Sequence, residues 1–153
     1  MLRVYLSVLL LAMAGGQLLD LRGFVEILET YQLGPASLAW PLAFTLIGGE
    51  LVAAGGMLGK RHWRQTGAAL AVGVALLWTF LAVQAFGRGL QIDNCGCFGV
   101  YLAQELRWWV LVQDAAFIAI AVWVWARLSG WRPSWPAALA RLSPAASTRP
   151  DEP

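Results

Sequence analysis

Long apolar runs alternate with short polar segments along the chain, and four of these runs approach the length of a membrane-spanning helix. A helix rises about 1.5 Å per residue, so a span across the hydrocarbon core takes about 20 residues. The first run is the shortest and would need snorkelling flanks or a locally thinned bilayer. The pattern predicts an all-α fold, an integral membrane four-helix bundle, with spans over residues 4–19, 36–58, 66–87 and 108–126.

The first run permits a second interpretation. Arg3, the apolar residues after it, and Ala12-Met13-Ala14 before Gly15 are also typical of a signal peptide with its cleavage site. We favour a retained helix because apolar residues continue through Leu18 and Leu19. Cleavage would leave the direction of the later spans unchanged, since the shortened chain would begin on the outer side.

The segment between the first two runs has the periodicity of an amphipathic helix. Its apolar residues recur at i, i+3, i+4 and i+7, with acidic residues on the opposite face, and they are Phe24, Ile27, Leu28 and Tyr31. This pattern predicts a short interfacial helix in the first outer loop. Two roles stay open for it: a brace on the membrane surface, or a lid or docking surface beside the next outer loop.

The composition agrees with a membrane protein. Hydrophobic residues make up 59% of the chain and charged residues 13%, whereas soluble domains have about 45–50% and about 25%. The net charge is +2 and the basic residues are dispersed, so we expect membrane lipid as a partner and no nucleic acid. One His and two Cys exclude a His-rich metal site and a framework of several disulfides.

Basic residues collect on one side of the predicted bundle. Most of the eleven Lys and Arg residues precede the first run, separate the second from the third, or follow the fourth: Arg3, Lys60, Arg61, Arg64, Arg127, Arg132, Arg141 and Arg149. The positive-inside rule makes these segments cytoplasmic. We therefore expect a multi-pass protein of the inner (cell) membrane, with both termini cytoplasmic and residues 88–107 periplasmic or extracellular.

The chain divides into two parts by composition. Residues 1–128 are expected to form one four-span membrane domain. Residues 129–153 are rich in Pro, Ala and Arg, which predicts a mostly disordered cytoplasmic tail.

Both cysteines lie in the second outer loop, as Cys95-Gly96-Cys97. Glycine permits the backbone angles of a tight ring between near neighbours, although a disulfide across one residue is strained. Strain raises the reduction potential, so we expect a labile exchange centre in an oxidising compartment. Arg88 and Arg107 would favour a thiolate if they folded over the loop, and Asp93 would oppose it.

Three alternatives compete with redox exchange: a structural disulfide, ligation of copper or zinc, and two inert thiols. A disulfide between near neighbours closes almost no loop and stabilises little. A metal site would need further ligands, and no other His or Cys lies nearby. We predict that Cys95 and Cys97 are the catalytic pair and that no metal is bound.

Polar residues within the spans form a second group of candidates, because a charge in the hydrocarbon costs at least about 2.5 kcal/mol. Gln17, Gln84, Arg88, Gln113 and Asp114 are expected near the level of the cysteine loop. Gln84, Arg88 and Asp114 are candidates for cofactor binding, either of a quinone or in a proton relay. The alternative is a structural pair between Arg88 and Asp114.

Glu50 differs from these residues. The second predicted span places it roughly 21 Å from the outer face, toward the cytoplasmic half and far from the cysteines. Neighbouring glycines favour close helix packing around a protonated or hydrogen-bonded Glu, and a proton path is the alternative.

Five short motifs occur in order along residues 2–125: Gly16-Gln17-Leu18-Leu19-Asp20, Gly23-Phe24, Tyr31-Gln32-Leu33-Gly34-Pro35, Gly49-Glu50-Leu51 and Cys95-Gly96-Cys97-Phe98-Gly99. Together they resemble the methylamine utilisation protein MauE family of DoxX-like four-helix membrane proteins. The last motif is the most specific. The chain departs from the family pattern at Gln17, where relatives commonly carry Lys.

The resemblance implies a four-span protein needed for maturation of a periplasmic partner, in this family the disulfide-rich small subunit of methylamine dehydrogenase. It also implies a periplasmic thioredoxin-like protein as a companion. By position, Cys95 and Cys97 would be the redox pair and Glu50 a membrane acid.

Three functions stay open. The first, which we favour, is a membrane thiol-disulfide redox protein, and if it is an enzyme it is a thiol-disulfide oxidoreductase. The second is a non-catalytic membrane scaffold or accessory protein for export or assembly. The third is a quinone-coupled thiol oxidoreductase similar to DsbB and vitamin K epoxide reductase, although those relay through two cysteine pairs and this chain has one.

Overall fold

The computed structural model describes residues 1–130, which contain helices and no strand. The helices are α1 (Leu2–Leu19), α2 (Leu21–Thr30), α3 (Ala39–Leu58), α4 (Arg61–Gly87) and α5 (Trp108–Leu128). A 3₁₀ turn, Ala36–Leu38, precedes α3. Four helices, all but α2, are long and apolar enough to cross a membrane, which confirms the predicted fold class. Residues 131–153, most of the predicted tail, lie outside the described residues.

The four long helices close into a ring. α1 packs on α3, α3 on α4, α4 on α5, and α5 returns to α1 through the least extensive of the four contacts. Leu6, Leu46 and Leu81 are fully buried inside the ring, whereas Phe44 and Phe80 lie exposed on its outside. Lipid is a good solvent for such an apolar exterior, and water is not. The chain is therefore a multi-pass membrane protein.

α4 is longer than the apolar run that predicted it. It begins at Arg61, so it includes Arg61, His62 and Arg64, which precede the third apolar run. Lys60 is the N-cap, and Arg64 Nε donates a hydrogen bond to the Gly59 carbonyl at 3.1 Å. Arg and Gln are good helix formers, so the helix continues where apolarity stops. Apolarity marks only the part of a helix that lies in lipid.

α2 is the predicted amphipathic helix. The Asp20 carboxylate begins it by accepting a hydrogen bond from the Gly23 N–H at 2.9 Å, as an N-cap does. Phe24, Leu28 and Tyr31 are buried, and the helix packs mainly on α3. Its apolar face is therefore covered by protein. We call the end of the bundle that holds α2 and the cysteine loop, residues 88–107, the loop end.

Candidate redox site

Cys95 and Cys97 face each other as free thiols. Their sulfur atoms lie 3.3 Å apart and share one hydrogen bond. Gly96 between them has φ +80°, a conformation that favours glycine, and its N–H donates to Asn94 Oδ1 at 3.0 Å. A disulfide bond measures about 2.05 Å, so a shift of little more than 1 Å would bring the two sulfurs into bonding distance.

Side chains from two other elements anchor the backbone of the pair. The Tyr31 hydroxyl, just after α2, donates to the Cys95 carbonyl at 2.8 Å. Gln17 Nε2, near the end of α1, donates to the Cys97 carbonyl at 3.1 Å. Both donors are buried. The loop is therefore fixed to the bundle on both sides of Gly96.

The loop also contacts α1 backbone to backbone. A Cβ atom added at Gly16 would overlap the carbonyl oxygen of Phe98. Gly99, with φ +75°, lies against the Gly16 backbone in the same way. Glycine at position 16 is what lets the cysteine loop pack directly on the helix.

Glu50 lies close to the cysteine loop. Its Oε1 atom accepts hydrogen bonds from Gln17 Nε2 at 3.1 Å and from Trp78 Nε1 at 2.9 Å. Gln17 also binds the Cys97 carbonyl, so one side chain connects the membrane acid to the cysteine pair. The expectation that Glu50 lies far from the cysteines is wrong.

The reason is that the helices do not end at one level. Gln17 lies about 3 Å from the end of α1, whereas Glu50 lies about 16 Å from the beginning of α3. Their hydrogen bond therefore requires α1 to end deeper in the bundle than α3 begins. The cysteine loop packs on the end of α1 and so also lies deep in the bundle. The depth of Glu50, counted along its own helix, does not reveal the depth of the loop.

The two thiols differ in exposure and acidity. Cys95 is 2% exposed, while Cys97 is partly exposed. The hydrogen bond with Cys97 lowers the pKa of Cys95, because it stabilises the thiolate more than burial opposes it. The same hydrogen bond, together with burial, raises the pKa of Cys97 well above its ordinary value. When the pair loses one proton, the charge therefore rests on Cys95.

Neither arginine of the loop lies over the thiols. Arg88 Nη1 donates to the carbonyls of Tyr31 at 3.3 Å and Gln32 at 3.1 Å. Gln84 Nε2 also donates to the Tyr31 carbonyl, at 3.2 Å, so the two side chains satisfy carbonyls that α2 leaves free at its end. Arg107 instead pairs with its neighbour Glu105 at 2.6 Å.

The predicted cofactor residues therefore do not form one cluster. Gln84 and Arg88 hold the end of α2, and the alternative pair between Arg88 and Asp114 is not formed. Asp114 instead lines a cavity of about 180 Å³ between α1 and α5 that Cys97 also lines. Counting residues along each predicted span placed Gln84, Arg88 and Asp114 at a similar depth in the membrane. The packing of the helices nevertheless places Asp114 apart from the other two.

Two anchors of the site were missed from the sequence. Trp78 and Tyr31 were not named as site residues, although both are almost fully buried and both donate hydrogen bonds within the site. The sequence offers one indication of such a role: a Trp or Tyr that is buried needs an acceptor for its indole N–H or phenol O–H. Within residues 1–130, no group of three or more His, Cys, Asp or Glu side chains is arranged to hold a metal ion.

Comparisons with known proteins identify the family. No curated protein and no solved structure matches the chain. The family model described as methylamine utilisation protein MauE matches residues 1–127, which include every residue of the site. The chain belongs to the MauE family of methylamine utilisation proteins.

Proposed function

We propose that this protein is a membrane thiol-disulfide oxidoreductase that supports the maturation of a periplasmic partner. The observation that carries the proposal is the pair Cys95 and Cys97, with sulfurs 3.3 Å apart in a loop that two buried side chains anchor. Membership of the MauE family supports a membrane role related to methylamine utilisation. The expected substrate is a disulfide-containing protein of the type of the methylamine dehydrogenase small subunit, with a thioredoxin-like protein as companion.

The exposure and acidity of the two thiols assign different roles to them. In the oxidised protein, a partner thiolate attacks Cys97 Sγ, the partly exposed sulfur, and forms a mixed disulfide. The bond between the two cysteines breaks, and its electron pair leaves on Cys95, whose lowered pKa makes it the better leaving group. A second partner thiolate then attacks the partner sulfur of the mixed disulfide. It releases Cys97, which takes up a proton, and the partner gains one disulfide.

The charge distribution supports an orientation for this chemistry. Basic residues flank the ends of the spans opposite the cysteine loop, among them Lys60, Arg61, Arg64 and Arg127. We therefore place the protein in the inner membrane with both termini in the cytoplasm and the cysteine loop in the periplasm. That compartment is oxidising and contains proteins that acquire disulfides.

Trapping the mixed disulfide tests the proposal. In Cys95→Ser, the Cys97 thiol can still attack the disulfide of the oxidised partner, which is the reverse of the last step, but no Cys95 thiol is present to attack Cys97 Sγ and release the partner. A partner joined to Cys97 should therefore accumulate, seen as a reductant-sensitive band on a non-reducing gel. Cys97→Ser should accumulate far less, because Cys95 is buried. Both variants should lose maturation of the substrate protein.

The same two variants distinguish the competing function. Full maturation by both Ser variants would overturn the redox proposal and favour a scaffold or accessory role. Equal trapping by the two variants would overturn the assignment of Cys97 as the attacked sulfur.

A further inference from the structure

A groove runs along the contact between α1 and α5, where the ring of helices is least extensively packed. Its cavity measures about 180 Å³ and extends on α5 from Gln113 to Ile120 and on α1 from Met13 to Tyr5. At 1.5 Å per residue, each of these stretches is about 10–12 Å long. Tyr5 is 57% exposed on the lipid-facing surface, so the groove borders lipid.

The polarity of the groove changes along its length. Cys97, Gln113 and Asp114 lie at the loop end, and only apolar or aromatic side chains line the part toward Tyr5 and Ile120. Phe98, Phe117 and Trp78 provide aromatic surface beside the polar end. Cavities of this kind, mostly apolar with a few convergent polar groups, are typical of small-molecule sites.

Asp114 at the polar end is 8% exposed and has no counter-ion within residues 1–130. A buried carboxyl in a membrane span is expensive and generally marks a functional site. It borders the same space as Cys97, the partly exposed cysteine of the pair, whereas Cys95 is buried and does not line the cavity. A ligand in the groove would therefore meet a thiol and a carboxyl together.

We infer that this groove binds a lipid-soluble quinone, which accepts the electrons of the reduced pair and so regenerates the disulfide. The inference rests on the proposed function, since that function consumes the disulfide at each turnover. A quinone has a planar ring for the polar, aromatic end and an apolar tail for the lipid-facing end. It is a two-electron, two-proton acceptor, as thiol oxidation requires.

Oxidation of the pair by the quinone passes through a bond between Cys97 Sγ and the quinone ring. Cys97 loses its proton to Asp114, and its sulfur adds to a ring carbon of the quinone, forming a C–S bond. The Cys95 thiolate then attacks Cys97 Sγ, so the S–S bond forms and the C–S bond breaks with its electron pair going to the ring. Asp114 passes the Cys97 proton to one quinone oxygen, and the other oxygen takes from water the proton that Cys95 released to water when it became a thiolate. The pair is oxidised to the disulfide and the quinone is reduced to the quinol.

The test uses the purified, reduced full-length protein without oxygen and decylubiquinone as the probe. Ala116 lines the groove, and its exposed neighbour Ala115 does not. Ala116→Phe should lower the rate of quinone reduction and thiol loss at least tenfold, and Ala115→Phe should leave both rates unchanged. Asp114→Asn should lower the rate at least tenfold and keep binding. Photolabelling by an azidoquinone, read on α1 and α5 peptides, should be lost in Ala116→Phe and retained in Asp114→Asn.

The outcomes separate this inference from the proposed function. If wild type does not reduce decylubiquinone, or Ala116→Phe keeps the wild-type rate and labelling, the quinone site is wrong, even when Cys95→Ser still traps a partner. If Ala116→Phe misfolds, labelling of wild type only on peptides that contain no residue of the groove would overturn the site by itself. If wild type reduces the quinone and Cys95→Ser traps no partner, the site stands and the role in partner maturation fails.

Discussion

Gln17 and Glu50, 33 positions apart in the chain, are joined by a 3.1 Å hydrogen bond inside the bundle. The same Gln17 amide donates to the Cys97 carbonyl, and Trp78 donates to the same oxygen of Glu50. Glu50 is fully buried, and both of its partners are neutral. Its second carboxyl oxygen and the Gln17 oxygen have no hydrogen-bond partner in the described part of the chain. The membrane acid is thus an acceptor that holds α1 and α4 in register beneath the cysteine loop.

This arrangement predicts different effects for two substitutions of Glu50. Glu50→Leu leaves the Trp78 indole without an acceptor and the Gln17 amide with the Cys97 carbonyl alone, and each buried N–H that loses its acceptor costs about 1–3 kcal/mol. We expect a clear loss of stability in thermal unfolding and loosening of the cysteine loop. Glu50→Gln keeps an acceptor oxygen and should change the free energy of unfolding by less than about 1 kcal/mol. Equal destabilisation by both variants would contradict the acceptor role.

The contact between Gly16 and the cysteine loop provides a matched pair of variants. Gly16→Ala places a methyl group on the Phe98 carbonyl, and overpacking of this kind costs about 1–3 kcal/mol. Gly15→Ala is the control, because a Cβ there has no atom within 4 Å, and alanine should stabilise the helix by about 0.5–1 kcal/mol. Thermal unfolding and alkylation of Cys97 by a small reagent would measure the two effects. Equal behaviour of the two variants would exclude the close contact.

Tyr31 is predicted to hold Cys95 in place. Burial raises the pKa of its hydroxyl well above its usual value, so the hydroxyl stays a donor at any physiological pH. Tyr31→Phe removes the 2.8 Å bond to the Cys95 carbonyl and should cost about 1–3 kcal/mol, because that buried carbonyl loses its donor. The buried Cys95 should then react faster with a thiol reagent. An unchanged alkylation rate in Tyr31→Phe would contradict this role.

The acidities of the two thiols predict a pH dependence. Thiolates react and thiols do not, so Cys95 should stay reactive at a pH below the ordinary range for cysteine, and Cys97 should gain reactivity only above it. Cys97→Ala removes the hydrogen bond that lowers the pKa of Cys95, so the profile of Cys95 should move to higher pH. Cys95→Ala should move the profile of Cys97 to lower pH. Rates of alkylation measured against pH would show both shifts, and movement of both profiles in one direction would exclude the coupling.

Much of the architecture could be read from residue patterns. The four apolar runs predicted the four long helices, because the length and apolarity that a membrane demands are local properties of the chain. The helical spacing of the apolar residues from Phe24 to Tyr31 likewise predicted α2. The beginning of α4 at Arg61 could not be located from the apolar run, because the first turns of the helix consist mainly of polar residues.

The helical fold and the candidate pair Cys95 and Cys97 follow from the order of residues alone, since each depends on residues close together along the chain. Three other relationships required the packed structure: Glu50 and Gln17 meet below that pair, Gln84 and Arg88 cap α2, and Asp114 shares a cavity with Cys97. Those relationships depend on how far each helix is displaced along the bundle axis. That displacement is set by backbone contacts between residues far apart in the chain, such as Gly16 against Phe98. The periodicity of apolar residues within one helix therefore cannot predict it.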